Sequence, residues 1–203
     1  MFIKFKPLLK AIKTSRESEY LGDVVILKAE AFGAKINPKI AAKMQPVVGY
    51  HPIIDLEQLS HLPEQSFGYQ YASHMKQNHL TPLQVSPELS TLADKNVLSL
   101  RYVITHDIFH VLLGFDTSYA GEIGVLAFAV EQNYSQQFKL SLIIARFLYP
   151  ILAPFQVSKI FENIRKGREL GKQAKFLLNY RFEENWQRPL SEIKAELGLA
   201  EVN

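Results

Sequence analysis

The chain has 203 residues, 47% of them hydrophobic, which suffices for a sizeable core, and the sequence predicts a single domain over residues 1–203. It has no cysteine, which excludes disulfides, thiolate metal ligands, iron–sulfur clusters and cysteine nucleophiles. The net charge of +3 is lopsided: Lys4, Lys6, Lys10, Lys13 and Arg16 all precede the first acid, Glu17, and leave −2 for the rest, so no nucleic-acid-binding face is expected.

Helical periodicity dominates and no long strict alternation argues for a sheet. Residues 2–13 read as a basic amphipathic segment, with 1–16 set apart by charge, and no small-residue cleavage site follows a continuous apolar block, so no signal peptide is expected. Ser15 or Ser18 can cap a second helix through about Phe32, where Gly33 offers a stop. From Asn37-Pro38 to Leu62-Pro63 the chain is turn-rich and predicts short helices between loops. Helices are then expected over about Ser66 to Gln77, from Asp94 or Asn96 to Leu113, and from Tyr119 to Gln132, with Gly114 as a stop and Asp116, Thr117 or Ser118 as the next cap. Gln136 to Tyr149, Ser158 to Tyr180, and a last helix with Pro189 in its first turn complete an all-α, bundle-like domain of six to seven helices. Phe138 to Val157 is rich in Leu, Ile and Phe at roughly bilayer-spanning length. Lys139, Arg146, Pro150 and Pro154 interrupt it, so a buried or membrane-surface helix that breaks near Tyr149 is expected rather than a span.

The pattern that carries chemistry is His106-Asp107-Ile108-Phe109-His110, then eleven residues, then Glu122. Residues four apart share a helix face, so His106 and His110 can present two imidazoles to one point, with Asp107 at the edge and Glu122 supplied by the next helix. His106, Asp107, His110 and Glu122 thus form an N/O ligand set for a divalent metal, best suited to zinc, with magnesium or manganese as alternatives. The competing reading is a structural polar cluster in which the carboxylates pair the imidazoles. Zinc hydrolases of the His-Glu-x-x-His type and adjacent His-Asp phosphohydrolases fit less well: Asp107 has a shorter reach than Glu, and no further His-Asp set is evident. His51, His61, His74 and His79 read as surface or structural residues.

These residues resemble the ubiquinone (coenzyme Q) biosynthesis protein 4 family, whose pattern His-Asp-x-x-His, eleven residues, Glu is met at His106, Asp107, His110 and Glu122. Leu112-Leu113-Gly114, Gly121-Glu122-Ile123, the stretch from Leu62 to Ala72, Gly167-Arg168-Glu169-Leu170-Gly171 and the tail from Arg181 to Leu190 extend the likeness over about Leu56 to Leu199. Ala127 and Ala129 depart from the aromatic and acidic residues usual after the Glu, and Tyr134-Ser135-Gln136 stands in place of a Gly-Leu-Pro turn.

The resemblance implies an all-helical, zinc-binding protein in the membrane-associated synthesis of a polyprenylated quinone. Its reaction would be a metal-dependent oxidative decarboxylation of a prenylated hydroxybenzoate-derived ring, with Asp107 and Glu122 as the catalytic carboxylates. The alternative is a non-catalytic lipid-binding scaffold with a structural metal that organises other quinone-biosynthesis proteins. Leu142, Ile143, Phe147, Leu148 and Ile151 could line the groove for a polyprenyl lipid or prenylated quinone precursor, or be ordinary core. The expected setting is cytoplasmic and peripheral to a membrane surface, reached through the N-terminal segment, and the expected assembly is a homodimer.

Overall fold

The computed structural model describes residues 22–24, 26–27 and 38–199, and the expected amphipathic segment over 2–16 lies outside them. Of the helix expected through Phe32, residues 22–24 and 26–27 are helical. Among the described residues the structure is helical with no strand, and its only sheet-like pairing is the isolated bridge between Ser66 and Pro189. The ten α-helices of the 38–199 stretch are α1 Pro38–Lys43, α2 Leu56–Ser60, α3 Phe67–Gln77, α4 Ser90–Lys95, α5 Val97–Ile104, α6 His106–Leu113, α7 Tyr119–Glu131, α8 Gln136–Leu152, α9 Val157–Gln173 and α10 Leu190–Glu196. That is more than the six or seven expected, and the surplus has local causes.

One long helix was expected to reach Leu113, and it is cut into α4, α5 and α6. At each cut a polar side chain captures a carbonyl of the preceding turn: Asn96 Nδ2 donates to Leu92 O at 3.0 Å, and Thr105 Oγ1 donates to Arg101 O at 2.6 Å. α9 ends at Gln173 rather than near Tyr180, because Lys175 N donates to the Leu197 carbonyl instead of continuing the helix. α8 runs through Pro150 to Leu152 instead of breaking near Tyr149. A proline in the last turn forfeits one backbone bond, and the helix still closes with Ala153 N on Tyr149 O at 2.8 Å.

The chain forms two compact units, each assembled from separate segments. The first lies within Met1–Asp55, Leu80–Thr105 and Leu178–Glu183. Ile26, Ala93 and Leu100 form one of its core clusters, with Val85, Leu92 and Ile104 packed against them. The wholly buried guanidinium of Arg101 donates to Glu183 Oε1 at 2.8 Å and to the Tyr180 carbonyl at 2.9 Å, tying 178–183 to α5. A charge this deep persists only when paired and hydrogen-bonded.

The second unit comprises Leu56–His79, His106–Leu177 and Glu184–Asn203. Its axis is α7, where Ala120, Gly121, Ile123, Gly124, Val125, Ala127, Phe128 and Ala129 are all buried. α9 lies along α7, and at the closest approach a Cβ on Gly167 would collide with the Gly124 carbonyl, so no side chain fits there. α8 packs on the same core through Leu142 and Ala145. At the other end, Trp186 stacks on Phe67 and Tyr71 at 4.8 and 5.2 Å between ring centres, joining the tail to α3.

Candidate metal centre

The Thr105 cut makes His106 the first residue of α6, and His110 follows one turn later with its ring centre 4.9 Å away. Gly114, in the left-handed region at φ 69°, ends α6 as the sequence predicts. The chain then turns so that Phe115 N donates to His110 O, while the Phe115 carbonyl faces the His110 ring. Ser118 caps α7 by accepting from Gly121 N at 3.3 Å, which places Glu122 in the first turn. Two residues after the α8–α9 break hold that turn: Gln156 Oε1 accepts from Ala120 N, and buried Asn163 donates to Ala120 O at 2.7 Å.

Glu122 bridges the two histidines. His106 Nε2 lies 3.4 Å from its Oε2, and His110 Nε2 lies 3.3 Å from its Oε1. One ligand atom from each of His106, His110 and Glu122 falls within 4.8 Å of the others. Asp107 does not join this convergent set: its Oδ1 sits 3.7 Å from His106 Nδ1, on the far side of that ring. There it can orient His106, the carboxylate–imidazole–metal relation common behind metal-bound histidines.

His110 fixes the chemistry most tightly. Its Nδ1 is 3.1 Å from the Phe115 carbonyl, which can only accept, so Nδ1 carries a proton and Nε2 is the nitrogen turned toward Glu122. That Nε2 is buried, has no hydrogen-bond partner, and faces a carboxylate oxygen. Lone pair against lone pair is repulsive unless a cation, proton or metal, sits between them. Two imidazole nitrogens and one carboxylate converging on one point fit a divalent metal.

Without a metal the cluster holds a proton instead. Burial alone would lower the His106 pKa, but hydrogen bonding and charge from Asp107 and Glu122 outweigh it and push the group up to about 9. Burial would raise Glu122, yet its contacts with His106 and His110 hold it down to about 2.

Residues 39–203 match the sequence profile of the family described as coenzyme Q (ubiquinone) biosynthesis protein Coq4. The chain belongs to that family. The bovine (Bos taurus) mitochondrial COQ4 homolog of ubiquinone biosynthesis is 32% identical over 153 residues, covering 73% of this chain and 56% of that protein. The Xenopus tropicalis homolog is 25% identical over 193 residues, covering 89% and 68%. The chain thus spans little more than half of the bovine relative. A crystal structure from Nostoc punctiforme PCC 73102 shares the fold at TM-score 0.67 and 23% identity, over 97% of both chains.

Three residues near the centre escaped the sequence. His74, read as surface or structural, stacks on His110 with ring centres 5.7 Å apart and a buried Nε2 that has no hydrogen-bond partner. Burial, then the His110 charge, lowers its pKa. Tyr149 on α8 packs edge-on against Tyr119 at 5.0 Å, and burial followed by the Glu122 charge raises its pKa. His74 and Tyr149 have no spacing signal, since α3 and α8 meet the cluster only through the fold, whereas Tyr119 stands three residues before Glu122 on α7.

The five positions expected to line a lipid groove do not share one face. Leu142 is core, whereas Ile143, Phe147, Leu148 and Ile151 are exposed on α8.

Proposed function

We propose that this chain is a membrane-associated, metal-binding protein of prenylated-quinone biosynthesis that holds a polyprenyl lipid with its head group at the His106–His110–Glu122 cluster. The buried, unpartnered Nε2 of His110 facing Glu122 carries this reading, because a cation resolves the opposed lone pairs. His106, His110 and Glu122 would be the direct ligands, with Asp107 behind His106. Zinc suits this set best, with magnesium or manganese as the alternatives. Bound there, such a metal would supply Lewis acidity toward an oxygen of the quinone head group.

Three protein ligands leave a tetrahedral ion one open position, which favours chemistry over a purely structural metal. The chemistry in view is oxidative decarboxylation of a prenylated, hydroxybenzoate-derived ring with dioxygen as co-substrate and oxidant: the ring–carboxylate bond would break with loss of CO2, one oxygen atom would join that ring carbon to give the quinone, and the other would leave as water. His74 and Tyr149 would contact the ring, and Asp107 would hold the His106 orientation. The exposed stripe of Ile143, Phe147, Leu148 and Ile151 would carry the isoprenoid tail, and α8 meets the cluster through Tyr149. The scaffold reading differs at one point, since it needs a closed coordination shell.

Elemental analysis of the purified protein tests the centre: near-stoichiometric divalent metal in the wild type, and none in His110→Ala or Glu122→Gln. Equal metal in all three overturns the assignment.

A further inference from the structure

The second unit leaves an apolar corner facing outward. Leu140, Ile143, Phe147 and Ile151 fall within roughly 40° of one line along α8 and are 58 to 75% exposed, while Leu142 and Ala145 point the opposite way into the core. Past the break at Ala153, Phe155 is fully exposed, and Phe161 on α9 is half exposed. No single described helix is long and apolar enough to cross a membrane. The α8 segment and Pro154–Gln173 together are sufficiently apolar, but they bend by 114°. A bent apolar pair suits insertion into one leaflet, not a crossing.

Charge says what covers the corner. From Gln136 to Gln173 there are seven Lys and Arg against two Glu, and all seven cations are exposed. Lys139 and Arg146 run along one side of the apolar line on α8, at roughly 80 to 100° from it. Arg146, Arg165, Arg168 and Lys172 line a groove of about 310 Å³ between α8 and α9, with Glu169 the one acid in it, engaged by Arg165 at 3.1 Å. Two copies docked corner to corner would bring these cations together, whereas an anionic lipid surface neutralises them as the apolar residues enter the acyl region.

We propose that the α8–α9 corner is a membrane-insertion surface for an anionic leaflet, with Phe147, Ile151 and Phe155 entering the acyl region and the Arg165–Arg168 groove seating lipid phosphate. It deepens the membrane-associated reading above and is independent of the metal.

Co-sedimentation of the full chain with phosphatidylcholine vesicles and with vesicles containing phosphatidylglycerol tests it. The wild type should prefer the anionic vesicles and lose affinity with salt. Phe147→Ser/Ile151→Ser/Phe155→Ser, all at exposed positions, should lower binding at least tenfold with an unchanged circular dichroism spectrum. Arg165→Gln/Arg168→Gln should lower it roughly tenfold on anionic vesicles only. Wild-type binding by both variants would overturn the corner and leave the membrane-associated reading standing, whereas failure of the wild type on both vesicles would sink both. A triple variant that changes oligomeric state by light scattering while still binding vesicles would assign the face to a second copy.

Discussion

α7 and α8 are both apolar helices of one unit, and they treat their apolar surface in opposite ways. α7 is largely enclosed: eight of its thirteen residues are buried, only Tyr119 is exposed, and Gly124 receives Phe115 on one side and Gly167 on another. α8 commits only Leu142 and Ala145 to the core and turns Phe147 and Ile151 outward. Apolar content alone therefore does not say what lies against a helix. Two features separate them: small residues, which α7 uses for close approach, and Lys and Arg, which only α8 carries.

If α7 is the rigid element that aims Glu122, loading the centre should have the largest effect on stability. Saturation with zinc at about a thousandfold over its dissociation constant should add roughly 4 kcal/mol to unfolding. Chemical denaturation with and without a chelator measures this. Glu122→Gln should abolish the difference, and a chelator effect that survives in that variant would place the metal elsewhere.

The next effect is at the α7–α9 contact. Gly167→Ala puts a Cβ against the Gly124 carbonyl, with Ala127 Cβ beside it, and a backbone carbonyl cannot swing aside, so α9 has to move away. Overpacking of this kind costs about 1–3 kcal/mol, and a thermal melt should show it as a drop of several degrees. An unchanged melting temperature would mean that α9 is not held to α7 at this point.

The pH response of the metal-free chain sharpens the same comparison, because the titrating groups lie on α6 and α7 while α8 contributes none of the pair. His106 moves up from its ordinary 6.5 to about 9, so its stabilisation is complete below 6.5 and is lost as pH rises through 9. Glu122 moves down from 4.5 to about 2, so its share is present above 4.5 and is lost as pH falls through 2. Denaturation midpoints should plateau between about pH 4.5 and 6.5 and decline on both sides. His106→Gln should remove the alkaline decline. A metal would displace the His106 proton, so loading should release protons near neutral pH.

Much of the centre was legible because its determinants are local. Two histidines one turn apart, a glycine that must end the helix and a serine three residues before a glycine amide are all read within about seventeen positions of chain, and Gly114 and Ser118 do what their chemistry predicts. Where two local forces compete, the sequence is silent. Asn96 and Thr105 can ride in a helix or steal a carbonyl, and only packing decides. His74 and Tyr149 come to the cluster through long-range packing, for which no spacing exists. Leu142 and Phe147 are the same kind of residue on one helix, and their directions follow from where α7 lies.

The smallest expected effect is on α8. Ile151 is 75% exposed, so Ile151→Ser removes almost no buried surface and should change unfolding stability by less than about 0.5 kcal/mol. Ile123 on α7 is wholly buried, and Ile123→Ala should cost about 2–5 kcal/mol. Paired denaturation curves of the two variants give the ratio directly. If Ile151→Ser costs as much as Ile123→Ala, the outer face of α8 is covered in solution by protein, and the contrast between the helices fails. If it costs nothing while vesicle binding falls, the residue is held in place by an environment that the folded chain does not itself provide.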